Sequence, residues 1–327
     1  MDKKTKTFDV VLAGELNLDL ILYGLPETLE PEREHLAQGM ALTLGSSSAI
    51  FAHNLAALGS RVGFISRIGD DLMGEAARQW LAEGGVDTSR VRRVPGPAQT
   101  GLTVILARRS DRNILTYPGT IFELCYDDLD FDYLSSARHF HMSSFFLHRA
   151  LRPRMREAFA AIKRAGLTIS LDTNDDPEDR WEGNLSQVLE LVDVMFVNER
   201  ECMKLAGTQE VTQAARRLAA RVPLVVVKLG GHGAMARRGQ AEWRAEGLAV
   251  EAVDSVGAGD SFDAGFVHQY LRGADIETCL RFGNLAGALS VTRAGGTGAF
   301  RDRAYAETFL KEHWPRHDTQ PAGQGHS

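Results

Sequence analysis

The spacing of apolar and polar residues changes period along the chain, and the changes mark out its elements. Residues 8–14 (Phe-Asp-Val-Val-Leu-Ala-Gly) are a mostly apolar run ending in glycine, the pattern of a buried parallel strand. Residues 18–24 and 39–44 alternate instead: Leu18, Leu20 and Leu22 share one face, and Met40, Leu42 and Leu44 share another. These predict antiparallel strands with one apolar face, separated by a charged, proline-bearing loop from Pro26 to Arg33. Residues 101–107 and 112–117 flank the polar Arg108–Asp111 and predict a hairpin, bringing this small sheet to about four strands. Between the two groups, Gly45-Ser46-Ser47-Ser48 precedes an apolar run that stops at Gly59, the pattern of a capped helix. Arg61 to Ile68 reads as a strand and Leu72 to Glu83 as a helix.

From residue 138 onward strands and helices alternate. Strands are predicted at His139–Met142, Leu167–Leu171, Val194–Val197 and Leu224–Lys228, with helices over 149–165, 184–192 and 211–220 between them. That alternation implies a parallel sheet with helices on both faces. A further strand is predicted at Leu248–Val253, then helices at about 257–272, 275–293 and 302–313. The fold class is therefore α/β: a mostly parallel central sheet with helices on both faces, plus a small β-sheet lid. One domain is expected over residues 1–315, its lid built from about 16–24, 39–44 and 99–118; the polar stretch 316–327 reads as a disordered tail.

Composition narrows the function. A chain of 327 residues with 44% hydrophobic content supports a large core. Its 37 basic and 43 acidic residues give a net charge of −6, with no long basic run, so nucleic-acid binding has little support. No apolar run approaches the ~20 residues of a membrane span, and no apolar signal segment opens the chain. Cys125, Cys202 and Cys279 lie far apart and in no CxxC spacing, so they read as reduced thiols of a cytoplasmic protein.

Ligands of open α/β sheets gather beyond the carboxyl ends of the strands. Polar or glycine-rich residues stand there repeatedly: Glu15, Asn17 and Asp19; Asp172-Thr173-Asn174; Asn198-Glu199-Arg200-Glu201; Leu229-Gly230-Gly231-His232-Gly233. The most informative stretch is Asp254-Ser255-Val256-Gly257-Ala258-Gly259-Asp260, which opens a helix with apolar residues at Phe262, Phe266 and Tyr270. A Gly-Ala-Gly turn at a helix start leaves N–H groups unpaired at the positive end of the dipole, a cradle for anions. Asp260 immediately after it reads either as a general base beside a phosphate site or as an acidic cap satisfying the dipole. Other motifs carry less. Gly231-His232-Gly233-Ala234-Met235-Ala236 fits GxGxxA, but Arg237-Arg238-Gly239-Gln240 turns the chain into a hairpin where a dinucleotide site needs a helix. His53, His139 and His141 read as packing residues, since no further ligand stands at a telling spacing.

In their order these motifs resemble one family, the ribokinase-like (PfkB-type) carbohydrate kinases. Residues 254–260 match its D-[TS]-x-G-A-G-D signature; Gly45–Gly59 with Arg67-Ile68-Gly69-Asp70-Asp71-Leu72-Met73-Gly74 is similar to its N-terminal signature; Asn198–Glu201 fits N-x-x-E; and Lys228–Gly233 fits its glycine-rich nucleotide loop. The resemblance spans about residues 8–312. It implies a ribokinase-like fold and ATP-dependent phosphorylation of a small sugar or sugar acid, with Asp260 as general base and the N–H groups of Gly257, Ala258 and Gly259 as the anion hole. It implies Mg²⁺ organised by Asn198 and, through water, by Glu201, with nucleotide contacts from Lys228, Gly230, Gly231, Gly233 and Asn284. A K⁺ site is implied at Asp254 and at the carbonyls of Val256, Ser290, Arg293 and Gly295. The sugar is implied to sit against Asn17, Asp19, Gly45, Ser46, Ser47 and Ile50, beneath a lid that in many relatives also forms a homodimer. A non-catalytic sensor on the same scaffold is disfavoured by the presence of Asp260.

The chain departs from the family pattern at three places. Gly45-Ser46 stands where a Gly-Gly pair is usual, and Ile50 stands where an asparagine would meet the sugar. We expect Asn54, one helical turn on, to substitute in part. Ser143-Ser144-Phe145-Phe146 replaces a stretch with a sugar-binding glutamate, so Ile50, Phe145 and Phe146 could face a nucleoside base instead. Asp172, Asn174 and Trp181 are similar to a D-x-N…W stretch of fructokinase- and ketodeoxygluconate-kinase-like members.

Overall fold

The structure, a computed structural model, describes residues 6–108 and 112–314. The expected tail at 316–327 lies outside the described residues. Along the chain run β1 (Phe8–Ala13), β2 (Leu18–Tyr23), β3 (Gly39–Leu44), α1 (Ser47–Ala57), β4 (Val62–Gly69), α2 (Leu72–Glu83), β5 (Asp87–Val94), β6 (Leu102–Ala107) and β7 (Arg112–Tyr117). Then follow α3 (Phe131–Ser135), β8 (Ala137–Met142), α4 (Met155–Arg164), β9 (Thr168–Asp172), α5 (Leu185–Leu189), β10 (Val194–Asn198), α6 (Glu199–Ala206), α7 (Val211–Leu218) and β11 (Leu224–Lys228). The last elements are β12 (Ala234–Arg238), β13 (Ala241–Ala245), α8 (Ala258–Tyr270), α9 (Ile276–Val291), α10 (Gly298–Arg301) and α11 (Arg303–His313).

Nine strands form the large sheet in the order β13-β12-β11-β10-β9-β8-β1-β4-β5. From β11 to β5 every neighbouring pair is parallel, and the β12–β13 hairpin adds antiparallel strands at one edge. Strands covered on both faces are apolar throughout, which is why Val10–Ala13 and Leu224–Val227 are buried without alternation. One core, with Phe140, Phe159 and Met195, lies on one face; another, with Phe51, Phe64, Phe196 and Phe266, lies on the other. His139 and His141 are buried among the strands with each ring nitrogen on a hydroxyl of Thr168, Ser170 or Ser143, and His141 stacks on Phe51 at 3.8 Å.

The smaller sheet has four strands in the order β3-β2-β6-β7. Both hairpins are antiparallel, as expected, but they meet through a parallel β2–β6 pair. The chain leaves the smaller sheet after β3, builds α1 to β5, and re-enters it running parallel to β2. Leu20 stands opposite Leu42, and Leu22 opposite Met40, so the two leucine-rich sets lie together on one apolar face, as expected. Asp19, Ile21 and Tyr23 point to the other face, toward the large sheet.

One strand was not foreseen, and one predicted strand is corrected. Asp87–Val94 is a strand, β5, that polar composition concealed: it is an edge strand, where charged residues face water and discourage further pairing. Leu248–Val253, by contrast, is not a strand. It finds no ladder partner, and its apolar residues instead pack beside α9 and line a cavity.

Candidate active site

Two helix starts converge at the carboxyl edge of the large sheet. α1 is capped by Ser46, whose Oγ accepts from Ala49 N at 3.1 Å and donates to the Glu15 carbonyl at 2.8 Å. Ser46 takes φ 62°, a region glycine occupies more easily, so the serine in place of the usual glycine carries backbone strain. Glu15 supports it from β1's end: its carboxylate accepts from Ser48 N (3.1 Å), Ser48 Oγ (2.8 Å) and Ser144 Oγ (2.9 Å), with His148 Nε2 at 3.3 Å. Burial pushes the Glu15 pKa up, but His148 and Ser48 outweigh it and hold the carboxyl below its ordinary range.

α8 begins at Gly257, in the left-handed region at φ 71°. A Cβ there would lie 2.6 Å from Gly296 Cα and 3.1 Å from Ile50 Cγ2, so only glycine fits. The first helical bond runs from Ser261 N to Gly257 O (2.9 Å), leaving the N–H groups ahead of it facing outward. Ala258 is a lesser member of the expected cradle than Gly257 or Gly259, because its N–H turns back to Ser255 O at 3.4 Å.

This helix start is the wall between two cavities. One, of about 360 Å³, is lined by Lys228, Gly230, Gly231, Gly233, Asn284 and the 247–250 stretch, and by Ala258 and Gly259. The other, of about 210 Å³, is lined by Asn17, Asp19, Ser46, Ser47 and Ile50, by Thr103, Ile105 and Arg112 of the smaller sheet, and by Gly257 and Asp260. Asp260 faces the second cavity, nine-tenths buried, and burial pushes its pKa up to about 6; Lys228 pulls against that shift, and Asp172 adds to it. Asp19 is pushed up to about 7, chiefly by burial and then by the Asp260 charge.

Beneath the wall sits a cluster of buried charge. Lys228 Nζ donates to Asp172 Oδ2 (2.5 Å) and Asp263 Oδ2 (3.1 Å), all three side chains largely buried. Glu201 is pushed up to about 7 by burial and by Asp172, while Asp263 Oδ1 is buried without a hydrogen-bond partner. Among the described residues no group of three or more Asp, Glu, His or Cys side chains could hold a metal ion by itself, so a divalent cation here would lean on the nucleotide's phosphates.

The expected residues divide accordingly. Asn17, Asp19, Ser46, Ser47 and Ile50 border the smaller cavity, and Lys228, Gly230, Gly231, Gly233 and Asn284 border the larger. Asn284 spends its amide N–H groups on the Ala245 and Glu246 carbonyls (3.1 and 2.9 Å), anchoring that wall. Asn198 and Glu201 close on each other as a capping box at the start of α6, beside Lys228 across the β10–β11 pair, and line neither cavity.

Asn54 is a correction. It is fully buried, and its Nδ2 donates to Ser261 Oγ and Gly296 O, both at 2.9 Å. One turn beyond Ile50 the helix has already passed under the loop, so Asn54 ties α1 to α8 and meets no acceptor. Gly45 is a second: it lines neither cavity, and a Cβ there would fall 2.1 Å from Asp19 Oδ1, so it makes room for that carboxylate. Phe145 and Phe146 are core residues, Phe146 packing on Trp181 at 5.6 Å, while Ser144 and Leu147 line the cavity instead. Of the implied cation ligands, Asp254 and Gly295 are joined by a 2.9 Å hydrogen bond, and Ser290 Oγ lies 3.4 Å from Gly296 O. The Arg293 side chain pairs with Asp302 at 3.1 Å. Asp263 was overlooked, although its place three residues after Asp260 puts both carboxyls on one helix face.

A sequence model of the pfkB family carbohydrate kinases matches residues 7–303. The chain belongs to the PfkB family. An ATP-dependent ribose-1-phosphate kinase of Halopiger xanaduensis is 32% identical over 93% of this chain and 98% of its own length. A nucleoside kinase of Methanothermobacter thermautotrophicus is 28% identical over 94% of this chain and 96% of its own. The structure is similar to a putative ribokinase II from E. coli in complex with ATP and Mg²⁺, at TM-score 0.80 and 26% identity, covering 94% of this chain and 100% of that one. The fold is therefore ribokinase-like, and the protein is a phosphotransferase of the sugar and nucleoside kinase class with an alcohol group as acceptor. No helix among the described residues is long and apolar enough to cross a membrane.

Proposed function

We propose that this PfkB-family kinase transfers the γ-phosphoryl group of ATP to a hydroxyl of a small sugar or sugar acid, with Asp260 as general base. The observation that carries this reading is the shared wall: Gly257 and Asp260 face the smaller cavity while Ala258 and Gly259 face the larger. A nucleotide in the larger cavity and an acceptor in the smaller would meet at the anion cradle, with the base on the acceptor side. Asp260 takes the acceptor proton as its oxygen attacks phosphorus, and the cradle's N–H groups stabilise the charge spread over the phosphoryl oxygens. Lys228, Asn198 and Glu201 stand at neighbouring strand ends, and Mg²⁺ held there would neutralise phosphate charge.

K⁺ has weaker support, since Asp254 already accepts hydrogen bonds from Val256 N, Gly295 N and the Tyr23 hydroxyl. Asn17, Asp19, Ser47 and the Thr103–Thr116 hydroxyl pair are polar contacts available to a sugar, and among the described lining residues Arg112 is the cation available to an acidic one. With Phe145 and Phe146 packed away, no aromatic side chain among the described residues lines the cavity to stack on a nucleoside base, which supports the sugar reading. An ADP-release screen over sugars, sugar acids and nucleosides tests it; nucleosides as the sole acceptors would overturn the acceptor class. A cytoplasmic setting is consistent with the free thiols of Cys125, Cys202 and Cys279.

The base must be ionised to accept a proton, so kcat/KM is expected to rise with pH through about 6 and level off above it. A profile flat from pH 5 to pH 8 would remove Asp260 from the proton transfer.

We also propose that the outer lid face forms a homodimer. Met40, Leu42, Leu115 and Tyr117 are 68, 46, 56 and 53% exposed on one face of the sheet, with Leu20 and Val104 between them. An apolar surface of this kind marks an interface. Sedimentation is expected to give a dimer that Leu42→Glu converts to monomer; a monomeric wild type contradicts the interface.

A further inference from the structure

Three consecutive residues leading into the anion cradle each have a partner on the lid. Tyr23, the last residue of β2, donates its hydroxyl to Asp254 Oδ2 at 2.7 Å. Arg112, the first residue of β7, donates from Nη1 to Ser255 Oγ at 2.8 Å. Val256 is buried in a small apolar cluster with Ile21 of β2 and Ile105 of β6. The next residue is Gly257.

The Asp254 carboxylate is the junction. Its Oδ1 accepts from Val256 N at 2.9 Å, fixing the turn before the cradle. Its Oδ2 accepts from Gly295 N at 2.9 Å, fixing the loop whose Gly296 packs directly against Gly257. The Tyr23 hydroxyl shares Oδ2 with Gly295, so one carboxylate joins the lid, the turn and the backing loop. Tyr23 follows Asp19 and Ile21 at spacing two, on the face of β2 that looks toward the acceptor cavity. It does not itself line that cavity.

We infer that Tyr23 is a positioning residue for phosphoryl transfer, coupling the lid seated over the acceptor to the geometry of the Gly257–Gly259 cradle through Asp254. The inference rests on the kinase reading above. Seating the lid on the acceptor and setting the cradle are then one event, and a lid that lifts releases Asp254. Without the phenol hydroxyl, the carboxylate is free to turn away from Val256 N or Gly295 N, and the cradle donors lose their fixed aim. Such preorganisation acts on the transition state, where charge develops, more than on ground-state binding.

The test is Tyr23→Phe, which keeps the ring and removes the hydroxyl, measured with the acceptor that releases ADP fastest in the screen above. Loss of a hydrogen bond to a charged group is expected to lower kcat about 10- to 100-fold, with KM for acceptor and for ATP within about two-fold. In the Asp254→Asn background the same substitution is expected to cost nothing further. A kcat within two-fold of wild type overturns the inference, as does a change confined to acceptor KM or a fully additive double variant. A second readout needs no turnover: amide exchange at Val256 to Gly259 is expected to quicken about ten-fold in Tyr23→Phe, leaving the strands of the large sheet unchanged. Unchanged exchange there overturns the coupling even if no acceptor is found. A wild type that phosphorylates nothing but shows the exchange effect would instead overturn the kinase reading.

Discussion

Asp260→Asn is expected to lower kcat about 10²- to 10⁴-fold while leaving ATP affinity within a few-fold, the range of a lost general base. Asparagine keeps the size of the side chain, so helix α8 and the Gly257 turn should stand. What it lacks is the basicity. The carboxyl is nine-tenths buried between the two cavities, and burial has already pushed its pKa up to about 6. A base with that value is ionised at neutral pH, yet has more proton affinity than a solvated carboxylate, which suits it to take a proton from an attacking hydroxyl. Isothermal titration with ATP, beside steady-state rates on the best acceptor, separates the two effects. Near-normal turnover would reduce Asp260 to the acidic cap that its place in the first helical turn also allows.

Lys228→Met should have the larger effect on stability. Its ammonium reaches Asp172 at 2.5 Å and Asp263 at 3.1 Å, and the two carboxyl side chains are 0 and 1% exposed. Removing the cation leaves Asp172 charged and buried without compensation, a loss of about 3–5 kcal/mol. The two acids should then differ. The Lys228 and Asp263 bonds hold Asp172 below its ordinary carboxyl range against the pull of burial. Asp263 is pushed well above its ordinary range by burial, more than Lys228 can offset. Asp263→Asn is therefore expected to be the better tolerated of the two, because Asp172→Asn removes the carboxylate that Lys228 holds in its charged form. Thermal melts of the three single variants check this order; equal losses for Asp172→Asn and Asp263→Asn would contradict it.

The buried parallel strands were legible because a strand covered on both faces has to be apolar along its whole length. β5 was not, since an edge strand such as Asp87–Val94 is permitted, and even favoured, to be charged. Leu248–Val253 misled for the converse reason: apolar residues can line a cavity as readily as a sheet. Within the site, residues tied to backbone geometry were readable, because Gly257 admits no side chain and Asp260 follows it directly. Residues defined by long-range contact were not. Asn54 looked available one turn after Ile50, but only the packed loop at Gly296 reveals that its amide is already used. Tyr23 lies 231 positions from Asp254, and no local pattern announces that bond.

The most direct measurement follows the label from [γ-³²P]ATP in a rapid-quench reaction with the best acceptor. Label recovered in an acid-stable phosphate monoester of that acceptor, abolished in Asp260→Asn and with little released as inorganic phosphate, is the predicted result. Label appearing only in inorganic phosphate, or no transfer to any acceptor by an enzyme that still binds ATP, would contradict base-assisted phosphorylation of a hydroxyl at this site.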